Sequence, residues 1–189
     1  MRKRKKDKTK LMAWVIVALM VLSVFGIIGA SFFEEGTDKE YNGFRFYQVN
    51  GKWKVIVNGE GYFFNYLPTD LEDISVSGDF SQVFNGEKVY LAYTPSELLS
   101  VDGAMSIMGS HLYNNGVLIV KACLEEEDCP DIPIVNCEDH KIVKFVKGES
   151  GISGEGNCIT LAGEDGFELV KEGERLVYRL LGIMSWLYL

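Results

Sequence analysis

Four cysteines, at positions 123, 129, 137 and 158, are the side chains of this 189-residue chain best suited to covalent chemistry, and two histidines, His111 and His140, are present to serve them. A dithiol redox centre generally uses a Cys-x-x-Cys pair with one thiol at a helix start, where the local field lowers its pKa. None of the gaps between these cysteines is two residues long. A structural zinc site needs two closely spaced ligand pairs. Cys137 and His140 make one such pair, the second is missing, and no metal or cofactor is expected. A cysteine nucleophile needs a histidine beside it in space, and nearness of Cys137 and His140 along the chain does not supply that. An even set of cysteines outside the cytoplasm signals disulfides, and four cysteines allow three pairings. The pairing expected is Cys123–Cys129, closing an acidic loop, with Cys137–Cys158, joining two strand segments. Each bridge would stabilise by ~2–4 kcal/mol.

The other candidates are weaker. Residues 148–156 are glycine-rich, but a phosphate loop needs a following helix and a lysine; a strand pattern follows, so a mobile connection is expected. Residues 125–128, Glu-Glu-Glu-Asp, lack the alternating oxygen ligands of a calcium loop and read as a solvated acidic face. Thr94-Pro95-Ser96-Glu97 reads as a helix start: Thr94 caps, Pro95 takes the first helical position and Glu97 closes a capping box. Helix-start amides beyond a parallel strand favour an anion, which makes Thr94, Ser96 and Glu97 the candidate ligand-binding residues.

The elements that must position these residues begin after a long apolar run. Residues 11–33 contain no charge, and residues 1–10 carry seven Lys/Arg and one Asp. Twenty-three residues of helix rise ~35 Å, enough to cross a ~30 Å hydrocarbon core. The basic flank places the amino terminus in the cytoplasm. A cleaved signal would have a shorter core, although Ala30 offers a cleavage position. Gly26 and Ala30 form a small-residue pair through which two such helices would pack as a homodimer. The expected organisation is a cytoplasmic tail (1–10), a signal-anchor helix in the bilayer (11–33), a linker (34–40) and one extracytoplasmic domain (41–189).

Residues 34–189 hold twelve Lys/Arg against 26 Asp/Glu, a net of −14, which argues against nucleic acid as a partner. The fold class expected is mixed α/β. Strand patterns at 44–49, 52–57 and 62–66 are separated by Asn50-Gly51 and Asn58-Gly59, the signature of tight hairpins, and predict an antiparallel meander. Its aromatics are expected in the core, and residues 74–77 read as an edge strand. A strand at 89–93, a helix from Thr94 through Leu112 that Gly103 and Gly109 threaten to break, and a strand at 117–123 predict a βαβ unit. Strand patterns at 141–146 and 158–162 read as a further hairpin. A closing amphipathic helix carries Leu169, Val170, Leu176, Val177, Leu180, Leu181 and Met184 on one face, with Glu172, Glu174 and Arg179 off it. His111 falls near the end of the first helix, where a favourable terminal charge accounts for it.

This pattern implies a membrane-anchored, non-enzymatic module for protein interaction or envelope organisation. The alternatives are a small-ligand or sensory domain and, behind it, a cysteine-dependent redox or metal enzyme.

Overall fold

The computed structural model describes residues 12–20, 38–84, 88–95 and 101–184. Residues 12–20 are helical and exposed throughout. Residue 11 and residues 21–33 of the expected span lie outside the described residues, as does the tail at 1–10. Among the described residues no helix is long and apolar enough to cross a membrane, so the expected transmembrane helix gains no support from the structure. The fold class that does emerge is mixed α+β, with one antiparallel and one mixed sheet.

The antiparallel sheet has four strands in sequence order: β1 (Lys39–Tyr41), β2 (Phe44–Val49), β3 (Lys52–Val57) and β4 (Glu60–Phe64). The linker expected to reach residue 40 therefore already contributes a strand. Its three turns are Asn42-Gly43, Asn50-Gly51 and Asn58-Gly59, each with φ positive at both residues. That geometry matches the right-handed twist of the flanking strands. Register puts Phe46, Val55 and Tyr62 in one row of the inner face, with Phe64 and Val57 beside them, all buried.

The mixed sheet runs β5-β9-β10-β8-β6-β7, with β5 (Val76–Gly78), β6 (Lys88–Tyr93), β7 (Leu118–Cys123), β8 (Ile142–Lys147), β9 (Gly151–Glu155) and β10 (Cys158–Gly163). The βαβ unit is present: β6 and β7 pair in parallel around the helix α2 (Asp102–Asn114), which follows the single-turn helix α1 (Ser81–Phe84). Gly103 and Gly109 do not break α2; Gly109 lies over Leu91 and Ile119, where the helix approaches the sheet. The expected hairpin at 141–162 is corrected: β8 and β10 pair in parallel. The glycine-rich connection between them is itself strand β9, antiparallel to β10 and parallel to β5. The reason is close approach. A Cβ on Gly78 would fall 2.0 Å from the Gly154 carbonyl oxygen, and one on Gly154 would fall 2.5 Å from that of Asp79. The glycines permit a crossing of backbones rather than motion.

The closing helix α3 (Gly166–Leu180) starts at Asp165, whose Oδ1 accepts from the backbone N–H groups of Phe167 and Glu168. Together α2 and α3 cover one face of the mixed sheet, packing on Val89, Leu91, Val143, Phe145, Ile159 and Leu161. The other face, with Ala92, Ala122, Ile142 and Cys158, lies under Leu124, Val135 and Cys137 of the β7–β8 connection. The meander packs its inner face against the far side of α3, through Val177 and Tyr178, and against Ile183 and Met184 beyond it. Thus α3 is buried between two sheets.

Candidate functional site

The structure brings both expected cysteine pairs to disulfide distance: Cys123 and Cys129 with Cα atoms 6.1 Å apart, Cys137 and Cys158 with Cα atoms 5.6 Å apart. No cysteine is left free. The first pair staples the edge strand β7 to the loop that carries residues 125–128, which are exposed. The second ties the β7–β8 connection to the start of β10. Among the described residues no group of three or more His, Cys, Asp or Glu side chains is placed to hold a metal ion. His140 lies in the turn after Cys137, with its ring 4.9 Å from that of Tyr90.

Within the described residues α2 begins at Asp102, and residues 96–100, where the expected helix start would continue, lie outside them. Thr94 is buried at the end of β6, Pro95 lies in a turn, and Ser96 and Glu97 fall outside the described residues. The N-cap of α2 is Val101, without a side-chain cap. Asp102 in the first turn supplies the negative charge that a helix start favours, and its carboxylate pairs with Lys121 of β7 at 2.5 Å. The ion pair is exposed and links the first turn of the helix to the neighbouring strand.

A polar seam that the sequence reading left off the core lies where α3 meets both sheets. Glu172 and Glu174 are wholly buried and Arg179 nearly so. Two positions apart on a helix, the carboxylates point to nearly opposite sides. Glu174 reaches the meander: it accepts from the Asn65 backbone N–H (2.8 Å), the Asn65 side-chain amide (2.6 Å) and the Tyr66 N–H (3.0 Å). Burial raises its pKa, and those hydrogen bonds offset part of the rise. Tyr178, one turn on, donates to the Tyr66 carbonyl at 2.7 Å. Glu172 reaches the mixed sheet: its Oε1 accepts from Ser150 Oγ (2.9 Å) and the Gly151 N–H (3.0 Å). Its Oε2 is buried and has no hydrogen-bond partner among the described residues. Burial pushes this carboxyl up to about 7, against the opposing pull of the two hydrogen bonds. The signal for this arrangement was Val177-Tyr178 directly after Leu176, a wider apolar surface than one stripe, which a helix buried on two sides requires.

His111 is a further buried titratable group. It is not a surface charge at a helix end. Its ring stacks on Phe64 at 4.8 Å and 10° and on Tyr62 at 5.8 Å. Burial lowers its pKa, a hydrogen bond with the Phe63 backbone counters that, and Lys52 lowers it further. A neutral imidazole at pH 7 is the consequence. Beside it opens a cleft of about 170 Å³ bordered by Lys52, Asn65, Ser110, His111 and Asn114 among others. Neither this cleft nor the one of about 200 Å³ on the other side of His111 includes Thr94.

No family model, curated protein or solved structure matches this chain. The functional reading therefore rests on the molecule's own chemistry.

Proposed function

We propose that this chain is a single-pass membrane protein with a cytoplasmic amino terminus. Its domain at 41–189, stapled by disulfides, works outside the cytoplasm as a protein-interaction or envelope-organising module rather than as an enzyme. The observation that carries this reading is the pairing of all four cysteines at disulfide distance. Paired thiols suit an oxidising compartment and remove the side chains best able to act as nucleophiles or soft metal ligands. The uncharged run at 11–33 behind a basic tail supports the anchor, and an exposed apolar helix at 12–20 suits a lipid environment. The test is intact mass after alkylation of the full chain, prepared from membranes without reductant. The expected result is no alkylated thiol before reduction and four after it; a free thiol in the native protein would overturn the reading.

A second reading, a small-ligand or sensory domain, is favoured by the cleft beside His111. Its border of one cation, an imidazole, two amides and two hydroxyls suits a small polar ligand. Thermal stabilisation by small carboxylates, lost in Lys52→Ala, would support it.

A further inference from the structure

The charge of the domain is divided along the chain. Residues 39–64, the meander, carry four Lys/Arg and two Asp/Glu, a net of +2. Residues 65–189 carry eight Lys/Arg and 21 Asp/Glu, a net of −13. The outer face of the meander also exposes apolar side chains: Tyr47 36%, Val49 37%, Ile56 54% and Phe63 45%. Register sets Tyr47, Lys54 and Phe63 in one row across β2, β3 and β4, with the Lys54 ammonium 5.6 Å from the Phe63 ring centre. Arg45 stands on the same face, opposite Glu40.

We propose that this face lies on the surface of the membrane that anchors the chain, with Tyr47, Ile56 and Phe63 in the headgroup region and Arg45 and Lys54 against lipid phosphates. The inference rests on the anchored reading above. Five residues, 34–38, separate the uncharged run from β1. A fully extended connector of that length reaches only ~20 Å, so the meander stays within that distance of the bilayer. Aromatic side chains with neighbouring cations are the composition found at membrane–water interfaces. The acidic remainder of the domain is repelled by anionic headgroups, which leaves the meander as the side that approaches. Glu40 and the connector's Glu34, Glu35 and Asp38 oppose the attraction. The apolar side chains therefore supply the affinity and the charge division supplies the orientation. Tethering makes weak contact sufficient, because a short linker holds the face at an effective concentration of about millimolar.

The test uses hydroxyl-radical footprinting of the full chain, first in vesicles of phosphatidylcholine with phosphatidylglycerol and then in dodecylmaltoside. Oxidation of Tyr47 and Phe63 is expected to fall at least about threefold in the vesicles, as a mostly docked population requires. Phe167 and Ile134, which are exposed elsewhere on the domain, should not change. A Tyr47→Glu/Ile56→Glu variant should return Phe63 to its detergent rate. Equal rates in vesicles and detergent would overturn the proposal, as would protection of Tyr47 and Phe63 that appears only when an acidic polypeptide is added. Flotation of the same vesicles after alkaline wash separates the two premises. A chain that floats but shows no protection has lost the docking alone. A chain that does not float has lost the anchor, and the docking proposal falls with it.

Discussion

The two sheets of this domain are built by different means. In the meander every strand pairs with its neighbour in sequence, and each connection is an Asn-Gly turn, of which only the first reaches far along the chain, Asn42 donating to the Ile183 carbonyl at 3.0 Å. In the mixed sheet only β9 and β10 form a hairpin; β5 pairs with β9, β6 with β7 and β8, and β8 with β10, all across intervening elements. Both cysteine pairs and the two tightest backbone crossings belong to this second sheet. Locally encoded structure tolerates small losses one at a time, whereas non-local structure concentrates its dependence on a few contacts. The helix α3 serves both, giving one buried carboxylate to each.

The sharpest way to break this comparison is the same substitution in each sheet. Gly78→Ala meets both a positive φ of 87° and the Gly154 carbonyl at 2.0 Å, and is expected to cost more than about 3 kcal/mol in urea unfolding. Gly51→Ala has the same backbone strain, with φ at 76°, but open space around it, and should cost about 1 kcal/mol. Equal costs would show that the two sheets do not differ as described.

The disulfides come next. Replacing Cys137 and Cys158 by Ala opens a loop with a sequence separation of 21, against six for Cys123 and Cys129. The expected losses are about 3 and about 2 kcal/mol respectively, read as the difference in unfolding midpoint under non-reducing conditions. Neither variant should alter amide exchange in β2 and β3; exchange that accelerates there would mean that the sheets unfold as one unit.

The two latches of α3 make the third test. The carboxyl of Glu172 sits at about 7 when folded, against an ordinary value of 4.5. The native state therefore binds the proton more tightly, and stability from this group falls as pH rises from about 4.5 through about 7. Glu172→Gln should remove that loss, gaining about 2 kcal/mol on the wild type between pH 4.5 and pH 8 in unfolding titrations. His111 acts in the opposite sense. Its lowered pKa means that stability is lost as pH falls below the ordinary histidine value. Glu174→Gln should cost stability at every pH, about 1–2 kcal/mol, since two backbone donors and one amide depend on its oxygens. A Glu172→Gln variant whose deficit or gain is independent of pH would sink the reading of a buried acid.

The smallest effect belongs to the turns. Asn50→Ala keeps Gly51 but forces a non-glycine residue at φ 52° without the local hydrogen bonding that Asn offers, and should cost about 0.5–1 kcal/mol.

Much of the fold was legible because its signals are local. Asn-Gly pairs and alternating aromatics announce the meander, and the apolar strand at 117–123 after a helical stretch announces the parallel unit. Cysteine positions within strands and loops pointed to the pairing that the structure brings together. Two readings failed for one reason. Gly151 and Gly154 signalled flexibility by composition, yet their place is decided by Ser75, Asp79 and Phe80, which are far away in sequence. Glu172 and Glu174 read as solvent-facing because a helix with one buried stripe would expose them.

The amino-acid sequence by itself determined most of the strands, the hairpin turns of the meander and the division of charge, since each follows from a few neighbouring residues. Only the tertiary structure decided that α3 is covered on both sides, that two of its carboxylates leave water, and that a glycine-rich stretch becomes a strand. Burial is a property of what packs around a residue, and a segment carries no record of a neighbour that arrives from a hundred positions away.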